Sequence, residues 1–226
     1  MSFTFDPYKL RLSDVSAACD VLMTNPTATT ELEAYWKTLP RTRGVPMRKD
    51  VDPMAMKGVL EDSFILERVA PGVARIRVAG RKVTKLLGIE PRGLPLTAAF
   101  LPAARADMAR HLEAAFMSPG LVELELTSPR AVGQPTLSGK ILLLPLRDDL
   151  GKVSRLLGVV VMSGRRGVGG RRFELKKSAP VRFEPMLGLR VMDGGQPAIR
   201  RASLRVPSDT QKADDTPALR LVVSNA

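Results

Sequence analysis

The chain has 226 residues, of which 44% are hydrophobic and 4% are aromatic, so it can bury an aliphatic core but offers few rings for stacking on bases or sugars. Its single cysteine, Cys19, and single histidine, His111, exclude an internal disulfide, a multi-cysteine metal site and a histidine-rich metal centre. No apolar run reaches about 18 residues and no signal-peptide core is present, so we expect a cytoplasmic protein without a membrane span.

The formal net charge of +12 is concentrated towards the C-terminus. Residues 165–226 contain 13 lysines and arginines but only 6 aspartates and glutamates. Their net charge of +7 is more than half of the chain's net charge of +12. The same segment is rich in Gly, Pro and Ser, and this composition predicts a flexible tail with local structure at residues 171–175 and 217–223. The preceding domain is therefore not expected to grip phosphate backbones.

The first predicted element is a helix that Thr29 or Thr30 can cap and that ends before Pro40. Its apolar residues fall on one face at helical spacing: Leu32, Tyr35, Trp36 and Leu39. The pair Asp52 and Pro53 predicts a second, short helix, because aspartate is a favoured cap and proline suits the first helical position.

A strand hairpin follows, with its turn at Pro71 and Gly72. Alternation along its second strand places Ile76 and Val78 on one side, and Arg75 and Arg77 on the other. A helix that Gly88 can end and a longer one over residues 102–120 come next. Residues 121–128, 136–146 and 155–164 are predicted strands, so the order indicates an α+β fold with a five-stranded antiparallel sheet and helices on one face.

The order of these motifs resembles the PAS-like family of bacterial, mainly alphaproteobacterial, single-domain signalling proteins. That family has a helix ending in Tyr-Trp, a proline-arginine-aspartate stretch, Asp-Pro, an aliphatic strand, and an arginine-rich strand closing on glycine. The residues that carry the resemblance are Tyr35, Trp36, Pro46, Arg48, Asp50, Asp52, Pro53, residues 63–67, Gly80, Leu87, Gly88 and Gly93. Arg81 departs from the family, which often has a small hydroxyl residue at that position.

The resemblance spans about residues 30–163 and implies a PAS fold that encloses either a ligand pocket or a filled core. We therefore expect an N-terminal extension over residues 1–28, a PAS-like domain with its flanking helix over 29–164, and a basic, largely irregular tail over 165–226. The flanking helix is a candidate packing or dimer element. The aliphatic residues expected in the pocket or core are Ile65, Ile76, Val78, Leu86, Phe100, Leu112, Phe116, Leu142 and Val160.

Asp50 and Asp52 could together hold a divalent cation or divide acid and base roles. We favour structural roles, because no third ligand lies nearby in sequence and Asp52 precedes a proline as a helix cap would. In an extended segment, Arg48 would lie on the same side as Asp50 and could tether it. We therefore expect no catalytic residues and no metal site.

Two isolated residues bear on cofactors. His111 lies in the long predicted helix, where haem-binding PAS sensors carry a histidine, but it stands between Arg110 and Glu113 and off the apolar face. Cys19 precedes the domain, whereas flavin photochemistry needs a thiol beside the ring. The residues thus argue against haem and flavin, and the cofactor stays unknown.

Arg75, Arg77 and Arg81 could clamp a carboxylate or phosphate at a pocket mouth or on a partner. We favour the alternative, a solvated sheet face paired with Glu67, or with Glu123 and Glu125, across strands. The resemblance implies a non-enzymatic regulator that binds a small molecule, a signalling protein or a second copy of itself. The alternative is a nucleic-acid-associated regulator that binds through the basic tail, and an enzyme using the two aspartates is weaker still.

Overall fold

The structure is a computed structural model, and it describes residues 25–42, 44–176 and 181–186. Its helices are α1 (Ala28–Thr38), α2 (Arg81–Leu87) and α3 (Pro102–Met117), with short 3₁₀ turns at Arg48–Asp50, Leu60–Asp62 and Leu96–Ala99. Its strands are β1 (Arg41–Thr42), β2 (Val45–Pro46), β3 (Ser63–Ala70), β4 (Val73–Ala79), β5 (Gly120–Ser128), β6 (Leu137–Arg147), β7 (Val153–Ser163), β8 (Glu174–Leu175) and β9 (Arg182–Pro185).

The main sheet is antiparallel, and its strands lie in the order β4, β3, β7, β6, β5, with β8 and β9 both paired to β5. The predicted five strands are therefore confirmed as the body of the sheet. The two short strands β1 and β2 form a separate pair. None of the helices in the described ranges has both the length and the hydrophobicity to cross a membrane.

The central strands β6 and β7 are covered on both faces. Alternate residues such as Ile141 and Val160 join the core beneath α2 and α3, whereas Leu142 and Val159 join a second core beneath α1. Their sequences are accordingly almost continuous runs of Leu, Ile and Val, as strands buried on two sides require. Leu142, predicted for the pocket or core, is therefore buried in the second core beneath α1 and not in the inner core.

Helix α1 is fixed to the sheet by its two aromatic residues. Trp36 is buried and donates from Nε1 to the carbonyl of Pro145 on β6 at 3.1 Å, and the guanidinium of Arg41 lies 4.7 Å from its ring centre. The Tyr35 hydroxyl accepts a hydrogen bond from the backbone N–H of Asp52 at 2.7 Å. The Tyr-Trp motif therefore ties the flanking helix to both the sheet and the segment before β3.

The start of α1 differs from the prediction, because Thr27 and not Thr29 or Thr30 stands at its N-cap position. The side chain of Asn25 accepts from the backbone N–H of Thr27 at 3.0 Å, and the Thr27 hydroxyl donates to Glu31. Because of this turn, α1 begins at Ala28, earlier than the positions of Thr29 and Thr30 predicted.

The predicted helix after Asp52 and Pro53 is not formed, and residues 53–59 are consecutive turns. Oδ1 of Asp52 accepts from the backbone N–H of Met54 at 2.8 Å, which closes an Asx turn. Backbone bonds from Met56 to Pro53 and from Val59 to Met56 span three residues, so the chain winds more tightly than an α-helix.

The hairpin of β3 and β4 turns at Pro71 and Gly72 as predicted, but it contains a bulge. Ile65 pairs with Val78, whereas the next residue, Leu66, pairs with Ile76, so β4 has one extra residue at Arg77. The bulge turns Val78 away from the inner core, and its side chain is 52% exposed. The prediction that Ile76 and Val78 share the core face is therefore wrong.

The chain beyond Gly164 is more ordered than its composition predicted. Residues 165–176, which we call the strap, cross the helical side of the domain and end in β8, and residues 182–185 add β9. A side chain at Gly88 would collide with the backbone of Gly170, so the strap passes α2 at a point where only glycines fit. The expected flexible tail is thus wrong for 165–170 and 181–186, whereas the local structure predicted at 171–175 is present as the end of the strap with β8. The predicted local structure at residues 217–223 lies outside the described residues.

Glu113 on α3 holds the hairpin to the helical layer. Its carboxylate accepts from the guanidinium of Arg68 on β3 at 2.5 and 3.2 Å, and from the backbone N–H of Gly72 in the turn at 2.8 Å. These bonds favour the charged form, so the pKa of Glu113 lies below its usual value of 4.5.

We predict that Glu113→Gln lowers the free energy of unfolding by about 1 kcal/mol at pH 7, since charged hydrogen bonds at a partly exposed site are lost. Because the folded-state pKa is depressed, the contribution of Glu113 is full above the unfolded value of 4.5 and disappears as the pH falls through the folded-state pKa. Urea unfolding of both proteins at pH 7 and pH 3 measures this difference. A difference that is equal at the two pH values, or equal to that of Glu174→Gln as a control, would contradict the assignment.

Candidate functional site

The inner core between the sheet and helices α2 and α3 is nearly filled. It contains a cavity of about 20 Å³ lined only by apolar residues, and four of the predicted pocket residues are among them: Ile76, Leu86, Phe100 and Val160. Leu112 and Phe116, also predicted, are buried in the same core. Small-molecule sites usually measure about 300–1,000 Å³, so a haem, a flavin or any ligand of that size requires this core to open.

Phe173 of the strap closes this cavity at one end. Its ring packs edge to face against that of Phe100, with 6.0 Å between the ring centres. Its backbone N–H donates to the carbonyl of Ala99 at 3.0 Å, and its carbonyl accepts from the backbone N–H of Leu101 at 2.9 Å. The sequence predicted local structure at residues 171–175 within a basic tail, but not that Phe173 is buried, at 3% exposure, and lines the cavity. The lone aromatic residue within an arginine-rich segment was the available signal.

Of the two residues considered for cofactors, the structure describes His111. His111 is half-buried on α3 but does not line the cavity, and burial lowers the pKa of its imidazole below the usual value. Cys19 lies outside the described residues. The expectation against haem and flavin stays a prediction.

A larger concavity of about 400 Å³ lies on the opposite face of the sheet. We call it the outer groove. It runs between the turn segment before β3 and the end of β4, and its floor and walls are mostly apolar: Val51, Pro53, Met56, Leu60, Ile65, Val78, Ala79 and Leu157. The predicted pocket residues Ile65 and Val78 therefore line a groove on the outer face and not the inner cavity.

The outer groove exists because α1 covers only the β6 and β7 part of this face. Beyond its reach, Val78 on β4 and Leu60 in the 3₁₀ turn before β3 stay exposed. Gly80 forms part of the wall, where a side chain would collide with the main-chain oxygens of Leu60 and Glu61. The family-motif glycine thus allows β4 to pass close to the 3₁₀ turn that borders the groove.

Charged side chains form the rim of the outer groove. Arg81 is the residue that departs from the family pattern. Its guanidinium donates to the carboxylate of Glu61 at 2.7 Å, so it is paired. Arg48 also lines the groove, and within the described ranges its side chain has no hydrogen bond or ion pair, so the predicted tether to Asp50 is not formed. The rim therefore offers one unpaired guanidinium beside an apolar surface.

The three arginines near the second strand do not form a common clamp. Arg75 donates to the carbonyl of Gly93 at 2.7 Å, and Arg77 pairs with Glu67, which also binds Arg155. The Glu67 pairing was predicted. Glu123 and Glu125 instead pair with other cations, such as Lys140 and Lys176 at 2.8 and 3.0 Å.

One ion pair beside the groove, with a buried carboxylate, was not predicted from the sequence. Asp62 is buried, and its Oδ2 accepts from Nζ of Lys82 on α2 at 2.8 Å. Burial raises the pKa of Asp62 above its usual value despite the neighbouring lysine. This pair fastens α2 to the segment that forms the groove wall. An aspartate at the start of a strand gave no sequence signal for it.

The aspartates 50 and 52 are not assembled into a site of several ligands. Within the described part of the chain, no group of three or more metal-ligating side chains comes together. The contacts of Asp52 are local and structural, since its carboxylate closes a turn and its backbone binds Tyr35.

An antiparallel sheet in this strand order, with helices α2 and α3 across one face, defines the PAS class of sensory domain. The PAS domain family model matches residues 23–161, so the chain belongs to the PAS domain family. No curated protein matches the chain.

Among solved structures, 26 chains match. One is described as the structure of an RNA-binding light-oxygen-voltage receptor, with 16% identity and a TM-score of 0.37. The match covers 54% of this chain and 35% of that chain, so the present chain spans about a third of that receptor's length.

We predict that Phe173→Ala lowers the free energy of unfolding by about 3–5 kcal/mol, the usual result of removing a buried aromatic ring. Phe183→Ala is a matched control, because Phe183 on β9 is 39% exposed, and it should cost less than about 1 kcal/mol. Denaturant unfolding of the full chain measures both. Equal losses for the two variants would show that the strap does not complete the core.

Proposed function

We propose that this chain is a non-enzymatic regulatory module of cytoplasmic, bacterial signal transduction that acts by binding a protein partner in the outer groove. PAS domains are generally sensory modules, and the family match supports that class of function. The observation that carries the proposal is the contrast between an inner cavity of about 20 Å³ and an outer groove of about 400 Å³.

The chemistry of the outer groove suits a protein partner. Its centre is aliphatic, and its charged groups, Arg48, Glu61 and Arg81, stand at the edge. Protein interfaces have the same arrangement, with an apolar centre that loses water and a polar rim that gives orientation. Val78 lies in this apolar region with half of its surface exposed, so covering it would remove apolar area from water.

A signalling protein and a second copy of the chain are both partners of this kind. Binding of a small molecule in the inner core is a separate route, and it needs the displacement of a side chain such as that of Phe173. We therefore place partner binding at the outer groove and treat the inner core as a structural core in this conformation.

We predict that a photo-crosslinking amino acid in place of Val78 forms a covalent protein adduct in cells of the native host. The same amino acid in place of Leu150 is the control, because Leu150 is 93% exposed in the turn between β6 and β7 and lies outside the groove. Gel analysis and mass spectrometry identify the adduct, and its mass distinguishes a second copy from another protein. Equal adduct formation at the two positions, or none at position 78, would contradict the proposal.

A further inference from the structure

We propose that the strap and the loops beside it form a surface that binds the backbone phosphates of a nucleic acid. This inference goes beyond the proposed function, because it concerns another face of the domain. The strap follows the residues matched by the family model, which end at 161, and so adds to the PAS domain a segment with four arginines: Arg165, Arg166, Arg171 and Arg172.

No arginine of the strap has a carboxylate partner within the described residues. Arg166 donates to the carbonyl of Gly169 at 3.3 Å, and Arg172 donates to the carbonyls of Leu87 at 3.3 Å and Arg171 at 2.9 Å. Elsewhere in the described chain, arginines commonly pair with acids, as Arg68, Arg81 and Arg182 do. The positive charge of the four strap arginines is therefore not neutralised by the carboxylates of the described residues.

The lack of a carboxylate partner is most unfavourable for the stability of the fold at Arg171. Its side chain is fully buried, and its guanidinium donates only to the carbonyls of Ser128 and Pro135, while Nε and Nη1 have no partner in the described structure. Burial lowers the pKa of Arg171, yet a guanidinium stays charged at neutral pH. A buried charge without a counter-charge is unfavourable, so an anion held close to the strap would stabilise the folded state.

The strap also joins two other basic segments. At one end, Val168 donates to the carbonyl of Gly133 at 3.0 Å, next to the exposed Arg130. At the other end, Arg171 donates from its backbone to Leu86 at 2.8 Å, where Lys85 and Arg92 are exposed nearby in sequence. Residues 85–92, 129–134 and 165–174 together contain seven lysines and arginines and two carboxylates, those of Glu90 and Glu174.

A polymer of phosphates fits this surface better than a protein or a membrane. A guanidinium group can donate two parallel hydrogen bonds to two oxygens of one phosphate. Several cations along one segment can neutralise successive phosphates of a polymer. Protein interfaces have an apolar centre, whereas the exposed large apolar side chains of these three segments, Ile89, Val132 and Val168, are outnumbered by seven lysines and arginines. Membrane-surface binding uses an amphipathic helix, and the strap is irregular up to β8.

The test measures binding of the full chain to a 20-nucleotide single-stranded RNA by fluorescence anisotropy at several salt concentrations. We expect affinity to fall with salt, and Arg165→Gln with Arg166→Gln to reduce the slope of log affinity against log salt by about 1.4, since each lost phosphate contact removes about 0.7. The matched control is Arg77→Gln with Arg110→Gln, which removes two arginines that are paired with Glu67 and Asp107. This control should bind like the wild type.

Each of four binding results would overturn the proposal, and so would a fifth result with phosphate. The four are no RNA binding at low salt, an unchanged slope in the strap variant, loss of binding with Arg200→Gln and Arg201→Gln instead, and binding to vesicles of anionic phospholipid but not to RNA. Inorganic phosphate provides a further comparison. If millimolar phosphate displaces the RNA at constant ionic strength, the surface is a site for small anions, and the nucleic-acid proposal is wrong.

Discussion

The fold depends on burying both faces of the central strands β6 and β7. Successive residues of a strand point to opposite faces, so a continuous aliphatic strand needs a cover on each side. On one side α1 supplies it, with Trp36 packed on the sheet and bonded to Pro145. On the other side α2 and α3 supply most of it, and Phe173 of the strap fills the remaining gap. The flanking segments are therefore parts of the core and not appendages to it.

This constraint also decides where the domain can meet other molecules. The inner core is closed by its own side chains, which leaves a cavity of about 20 Å³. The outer face is covered only as far as α1 reaches, and the outer groove remains beside it. The open groove on the outer face and the filled interior are thus both consequences of how the helices cover the sheet. The charged strap gives the domain a second exposed surface with a different chemistry.

Much of the fold was predictable from the sequence because strands and helices with regular apolar spacing dominate it. The five main strands, α3 and the end of α2 at Gly88 follow directly from such patterns. Two errors have physical causes that composition does not record. A one-residue bulge at Arg77 moved Val78 to the outer face, and backbone bonds such as that from Val168 to Gly133 ordered residues 165–170, whose glycines and arginines suggested disorder. The groove was missed because it depends on how far α1 extends across the sheet.

The most direct test of this account is residue-resolved hydrogen exchange of the full chain. The backbone amides of Arg171 and Phe173 donate to Leu86 and Ala99. If the strap completes the core, these two amides should exchange slowly, with protection close to that of the amides in the middle of β7. Exchange at the rate of an unstructured chain, while β7 stays protected, would show that the strap is separate from the folded core and would contradict the account.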